Sequence, residues 1–368
     1  MKLDQLTFTR YLAALSVVFF HYGNTVYPAS ITWLNPIVAM GSIAVSYFYA
    51  LSGFIMAIAY YETDKTQYQL KPWRYWLARL ARIYPVYLVA LLLMILAKWQ
   101  STGSDLLTVI LSLSMLQAWI PGYPLTLNAP GWSISVEMFF YLCLPLLLPL
   151  AYRFSLTKLS LLGLLIWLLT QIIHTTLLNS SGYQPFNRLH DFIYYNPIMH
   201  INTFILGLLV GIQLKQQSFA RFQQPRINNI ALLITALLTS LLLMTRHNFI
   251  DLTHIRIDYT NGLIAPLFLS IIVLLALNKS WLSTVFSLPI FVLLGEASYS
   301  LYILQKPLHG IYEKVAPAWL LTHETAYFYS FLLILTLSAI ASYRWFETPL
   351  RRLINTIGSS SVNTRQNH

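Results

Sequence analysis

The chain has 368 residues, of which 57% are hydrophobic and only 10% charged. A soluble domain carries about a quarter charged residues, so this composition excludes an ordinary soluble protein and points to a polytopic membrane protein. Lys and Arg number 23 against 12 Asp and Glu, a net charge of +11; no basic domain stands outside the apolar segments, so the excess reads as loops held on the cytoplasmic side, not as a nucleic-acid surface.

The first apolar segment, about 7–25, contains the stretch TRYLAALSVVFFHYG (9–23). An Arg near the centre of a span costs roughly 3 kcal/mol on insertion scales. Arg10 and His21 are eleven positions apart. At ~100° per residue this is ~1,100°, about 20° from three full turns, so both side chains share one helix face, ~16 Å apart along the axis. A shared polar face should point into the bundle, with both groups opening on one interior cavity. Snorkelling of Arg10 and an interfacial place for His21 are alternatives, but neither explains the shared face. Arg10 sits late for a signal peptide and no cleavage pattern follows promptly, so the segment reads as a retained span.

Ten more apolar segments follow, at about 37–61, 77–97, 106–119, 132–150, 156–178, 198–214, 229–245, 262–277, 288–305 and 326–347. Basic residues cluster at 62–82 (Lys65, Lys71, Arg74, Arg79, Arg82), at 215–226 (Lys215, Arg221, Arg226) and near the end (Arg344, Arg351, Arg352). All three clusters should face the cytoplasm. That requires one segment between the first two clusters not to cross. The weakest is 106–119, which is short and carries Ser112, Ser114 and Gln117. The expectation is therefore an all-α polytopic membrane protein of about ten transmembrane helices, a short re-entrant or interfacial helix, and both termini cytoplasmic. Residues 1–352 form one membrane-embedded domain, and 353–368 form a polar, disordered tail with no room for a further domain.

Several stretches carry chemistry. In RYWLARLARIYPVY (74–87), Arg79 and Arg82 are i,i+3 neighbours where a span enters from the cytoplasm, a spacing that suits phosphate groups. In NAPGWSISVEMFFYLCLP (128–145), Pro130 and Gly131 break the chain and Trp132 fits a membrane interface. Glu137 then lies in an apolar run with Tyr141 one turn on, and it needs a partner. Ser135 is a further polar group of that run. Cys143 is the only cysteine, so no disulfide forms within the chain. LLGEASYSLYILQKPL (293–308) places Ser298, Tyr299, Ser300 and Gln305 in or beside a span. In YRWFETPLRRL (343–353), Glu347 reads as locally paired with Arg344 and Arg351. The outer loops 182–197 and 246–262 are rich in aromatic and polar groups. Within them HIRID (254–258) is a chance-level motif, and His190, Asp191 and His200 lack the spacing of a metal site, so no metal is expected. No Walker or Rossmann glycine pattern is present.

Taken together, RYLAALSVVFFH, FYALSGF (48–54), RLARIYPVY (79–87), WSISVEMFFY (132–141), LGEASYSLYILQKP (294–307) and FETP (346–349) resemble, in order, the acyltransferase-3 family of integral membrane O-acyltransferases. The resemblance implies transfer of an acyl group, usually acetyl, from cytoplasmic acyl-CoA to a hydroxyl of a cell-envelope or lipid-linked sugar outside the bacterial inner membrane. The family's first-span Arg and His match Arg10 and His21, its R-x-x-R matches Arg79 and Arg82, and its Trp and Glu match Trp132 and Glu137. His21 is then the candidate general base or acyl carrier, with Glu137 orienting it or holding the acceptor, and Arg10, Arg79 and Arg82 holding the donor's anionic end or polarising the thioester side. Trp132, Ser135, Tyr141, Tyr299 and Gln305 are the candidate acceptor contacts. Where the family commonly has His, this chain has Gln305, which cannot exchange a proton near neutral pH. Acyl-CoA is the donor substrate, no tightly bound cofactor is implied, and the chain acts alone or with a separate extracytoplasmic partner. A transporter of a polar or lipid-linked solute, and a structural subunit, are the alternatives from other classes.

Overall fold

A computed structural model describes residues 3–99 and 105–363. Every regular element among them is helical. Ten long helices build the bundle: α1 (Asp4–Tyr22), α2 (Ala44–Tyr60), α3 (Pro72–Trp99), α4 (Gly131–Leu147), α5 (Leu156–Leu178), α6 (Pro197–Lys215), α7 (Pro225–Thr253), α8 (Ala265–Leu277), α9 (Pro289–Val315) and α10 (Glu324–Ser342). A final helix, α11 (Thr348–Asn363), continues into the expected polar tail; residues 364–368 of that tail lie outside the described residues.

Seven helical stretches, those built on α2, α3, α4, α5, α6, α7 and α10, are long and apolar enough to cross a membrane. The other three long helices differ for physical reasons. Helix α8 is apolar but only 13 residues long. Helices α1 and α9 carry the charged side chains, including Arg10 on one and Glu296, Lys306 and Lys314 on the other. These two polar helices pack against each other at the centre, where a Cβ on Gly295 would collide with the Thr7 carbonyl. At the opposite extreme, α5 and α7 turn bare leucines outward, with Leu161 at 63% and Leu233 at 61% exposure. Apolar surface on that scale belongs against lipid.

Helix α2 packs along α6 with their backbones in contact. Gly53 on α2 faces the Phe204 carbonyl, while Gly207 and Gly211 on α6 face the Ala50 and Phe54 carbonyls. This is the small-residue packing of membrane helices, where close approach replaces a hydrophobic driving force. Polar tethers lock the remaining contacts. Gln5 Nε2 donates to the Leu275 carbonyl at 3.1 Å, Trp76 Nε1 to the Tyr141 carbonyl at 3.1 Å, and Lys215 Nζ reaches the carbonyls that end α2 and Glu62 at 3.4 Å.

The 106–119 segment folds as a single helix, Leu106–Leu113, followed by a 3-10 turn, Gln117–Trp119. Eight residues rise only ~12 Å, too little to cross. Asp105 caps the helix through the Thr108 amide at 2.7 Å. Tyr84 and Tyr87 of α3 donate to its last carbonyls at 3.2 and 2.6 Å, and Gln117 Nε2 donates to the Gly131 carbonyl at 2.9 Å. The segment is thereby strapped to the start of α4.

Gly207→Val forces a Cβ and two methyls into the α2 backbone, and overpacking of this kind costs about 1–3 kcal/mol. The variant is expected to show a lowered thermal-unfolding midpoint in detergent. Gly182→Ala, at a site with nothing within 4 Å of the added carbon, should leave it unchanged.

Candidate active site: two cavities along one set of helices

Helices α1, α2, α3, α4 and α9 line an inner cavity of about 110 Å³. Arg10, Arg79, Arg82, Glu137, Tyr141 and Tyr299 all line it, together with Ser52, Ser133 and Tyr302. The sequence-predicted arginines, carboxylate and two tyrosines thus converge from four helices. Glu137 Oε1 accepts from the Tyr141 hydroxyl at 2.5 Å and from Ser52 Oγ at 3.4 Å. The Tyr299 hydroxyl donates to the Ile83 carbonyl at 2.7 Å and fixes α9 to α3.

Arg79 stands in an aromatic cage. Its guanidinium lies 5.7–5.8 Å from the ring centres of Tyr60, Tyr75 and Tyr141, and Nη2 donates to the Tyr60 hydroxyl at 3.1 Å. Its Nε is buried without a partner. Arg82 lies in the field of Glu296, Glu347 and Glu137, and Arg10 in that of Glu296 and Glu137. Among the described residues none of the three guanidiniums makes a direct ion pair. Their fork-shaped donors are therefore left for an anionic or carbonyl ligand.

Two carboxylates here were not singled out in the sequence. Glu296 sits in the quoted LGEASYSLYILQKP run, and a charge inside an apolar run was the available signal. Glu347, expected to pair locally with Arg344 and Arg351, turns inward instead. It is 1% exposed, accepts from Ser300 Oγ at 3.2 Å and faces Arg82 and Arg10 as well as Arg351. A π-helical turn, Tyr343–Glu347, re-aims it. Such turns change which residues share a face, so α-periodicity misplaces them.

His21 does not open on this cavity. It lines a second one, of about 480 Å³, with Tyr22, Ala129, Pro130, Lys306, His309 and Lys314. Arg10 and His21 lie on the one helix α1, but the single common cavity expected for them is replaced by two. Tyr302 and Ser133 line the inner cavity, and Pro130, to which Ser133 bonds, lines the outer one. The Tyr302 and Ser133 hydroxyls are 2.8 Å apart, and Ser133 Oγ also donates to the Pro130 carbonyl at 2.9 Å, so the Tyr302 hydroxyl is the donor between them. Phe48 packs edge-on against the Tyr302 ring at 5.9 Å.

The environment of His21 determines its tautomer. Gln305 is fully buried, and its Nε2 donates to the Tyr302 carbonyl at 2.7 Å. That bond orients the amide, so Oε1 faces His21 Nδ1 at 2.9 Å and can only accept. Nδ1 therefore carries the proton and Nε2 is left with the lone pair. Glu137, expected to orient the imidazole, lies in the other cavity and does not touch it.

Trp132 and Ser135 line neither cavity. Trp132 packs against Tyr195 at 5.0 Å and His200 at 5.5 Å, and Ser135 Oγ donates to the Met115 carbonyl at 2.5 Å. Both hold α4 against its neighbours. The sequence reading also passed over His309, whose ring stacks on Tyr22 at 4.2 Å in the outer cavity. Among the described residues no three His, Cys, Asp or Glu side chains converge as a metal site would need. His200 Nε2 instead donates to the Tyr194 carbonyl at 3.0 Å, and Asp258 takes the Thr260 amide at 2.7 Å in a local turn.

A family model described as an acyltransferase domain, acyltransferase-3, matches residues 3–345. The chain is 31% identical over 154 residues to "Acyltransferase MdmB" of Streptomyces mycarofaciens, covering 40% of this chain and 39% of that protein. It is 25% identical over 233 residues to "Putative O-acetyltransferase SACOL0978" of Staphylococcus aureus (strain COL), covering 60% of this chain and 36% of that protein. The matched region thus spans less than two-fifths of the length of these curated relatives. No solved structure matches the chain. With the family model running almost from end to end, through all of the helices that build both cavities, the chain belongs to the acyltransferase-3 family.

Proposed function

We propose that this protein is an acyl-CoA-dependent O-acyltransferase of the bacterial inner membrane, with both termini cytoplasmic, that moves an acyl group, usually acetyl, to a hydroxyl of an extracytoplasmic or lipid-linked sugar. The observation that carries this reading is the pair of cavities on one set of helices, one lined by three guanidiniums and the other by an imidazole with a free Nε2.

A third cavity supports a donor route. Lys71 and Arg74 line it with Tyr60 and Tyr75, two of the rings that cage Arg79. It lies in the basic 62–82 region assigned to the cytoplasm. Phosphate groups of the donor entering there meet Lys71 and Arg74, then the unpartnered Nε of Arg79. Arg82 and Arg10 lie farther in, where they hold polar groups along the donor's arm. The narrow thioester-bearing arm passes toward His21 when the Tyr302 side chain swings off Ser133.

In the outer cavity His21 Nε2 takes the proton of the acceptor hydroxyl as its oxygen attacks the thioester carbonyl. The C–S bond breaks, the acyl group stays on the sugar oxygen, and the imidazolium returns the proton to the departing thiolate. The alternative path forms the acyl–Nε2 bond first and delivers the group to the sugar afterwards. Gln305 serves both by holding Nδ1–H, and a proton-exchanging residue at that position is not needed. No tightly bound cofactor takes part.

Replacing His21 with Ala should lower acetyl transfer to sugar about 10²–10⁴-fold, the range of a general base, with expression intact. Measured turnover near wild type would remove His21 from the mechanism. Gln305→Leu frees the imidazole to take the other tautomer. It should cut kcat at least about tenfold with little change in acyl-CoA affinity, whereas loss confined to KM would assign Gln305 to binding instead. The double variant Arg79→Ala/Arg82→Ala should weaken acyl-CoA binding in calorimetry by more than about tenfold, and unchanged affinity would refute the donor role.

A further inference from the structure

The outer cavity has a charge character that general acyl transfer does not require. Among the described residues thirteen line it and none is acidic. Lys306 and Lys314 are among them, with His21 and His309. Lys306 is only partly exposed, Lys314 is exposed eight residues farther along α9, and the charge of Lys98 on α3 bears on Lys306. Asp105 bears on Lys98, and Glu313 on His309 from the same helix. An anion on this wall offsets the positive charge around the partly buried Lys306.

The rest of the wall fits a sugar. Tyr22 and His309 form a stacked aromatic pair beside the imidazole of His21. Gly310 leaves open space, with no atom within 4 Å of where a Cβ would stand. Lys306 immediately follows Gln305, which positions His21. An anion held at Lys306 therefore sits close to the free Nε2, and a hydroxyl on the same sugar ring can reach that base.

We propose that the outer cavity selects an acceptor sugar bearing an anionic group, a carboxylate or a phosphate, which Lys306 and Lys314 hold while a neighbouring hydroxyl faces His21. This rests on the acyl-transfer reading and narrows its acceptor to a charged class. The anion binds as a point charge on flexible lysines, so carboxylate and phosphate are both accepted. Anionic lipid headgroups share this chemistry and are the competing source.

The test uses the full chain in phosphatidylcholine nanodiscs with acetyl-CoA and three matched probes: methyl glucoside, methyl glucuronide and glucose 1-phosphate. The two charged probes should be acetylated with kcat/KM at least about tenfold above the neutral one. Lys306→Gln with Lys314→Gln should erase that advantage through KM while leaving acetyl-CoA affinity as it was. Gly310→Phe, which fills the cavity, should block all three probes and also spare acetyl-CoA binding. Equal use of charged and neutral probes, or an advantage that survives the double lysine variant, would overturn the proposal. A second set of nanodiscs contains phosphatidylglycerol. Loss of the charged-probe advantage there, with phosphatidylglycerol retained by the wild type and released by the lysine variant in native mass spectrometry, would assign the site to lipid and overturn the acceptor role. Probe binding is read in parallel by saturation-transfer NMR. If no probe is acetylated, the acyl-transfer reading fails on its own, and the binding preference still decides for or against an anion site.

Discussion

The structure depends on one constraint: an ionised side chain cannot face hydrocarbon. A guanidinium or carboxylate in a span must find polar company inside the bundle or reach water. Helices α1 and α9 carry such groups, so they are driven to the centre, while the bare leucine faces of α5 and α7 take the lipid side. The inner cavity is the result. Arg10, Arg82, Glu137, Glu296 and Glu347 come from five separate stretches of chain and converge because each lacks a cheaper place to be. Their charges sit near one another without closing into tight pairs. A fully paired cluster would be inert toward a ligand. This one keeps donors in reserve, which is the condition for recognising an anionic or carbonyl group that arrives later.

A second level of organisation is hydrogen-bond direction. Most contacts along α9 hold it in place: Tyr299 to the Ile83 carbonyl, Ile303 accepting from Asn128 at 3.0 Å, and Ser300 to Glu347. Gln305 is part of that framework through the Tyr302 carbonyl, and its other end reaches His21. Tyr302 thus bonds Ser133 through its side chain and Gln305 through its backbone, so one residue of α9 touches both the inner cavity and the amide that fixes the imidazole tautomer.

Much of this was legible in the sequence where helix periodicity or apolar length carries the information. The single helix that carries Arg10 and His21 follows from the apolar run between them. The failure of 106–119 to make a long helix follows from its polar serines, and the segment is a helix of eight residues. Arg10, Arg79 and Arg82, grouped by the sequence on the donor, do line one cavity, but Glu137 and Tyr141, expected beside His21 and the acceptor, line it with them. What periodicity cannot carry is the filling between two residues of one helix. The side chains that line the two cavities come largely from α3, α4 and α9, so nothing in the first helix announces that Arg10 and His21 open on different chambers. The π turn before α11 likewise moved Glu347 from a surface pairing to the interior, because a local change in helix pitch rotates every later side chain. Nothing in the spacing of Lys306 and Lys314 marks them; only the packing of α3 beside α9 brings them to one cavity with His21.

The two cavities also divide the polar groups of the bundle into two kinds. The inner one gathers three guanidiniums with Glu137 and the tyrosine bonded to it, and the outer one gathers an imidazole, two lysines and the stacked Tyr22–His309 pair. Ser133 touches both: it lines the inner cavity, accepts from Tyr302 at 2.8 Å and donates to the carbonyl of Pro130, which lines the outer one. A hydrogen bond of this kind contributes about 0.5–1.5 kcal/mol net, so it holds its place and yields to a modest competing contact. On the proposed acyl-transfer reading, that is the contact a donor's arm displaces on its way to His21.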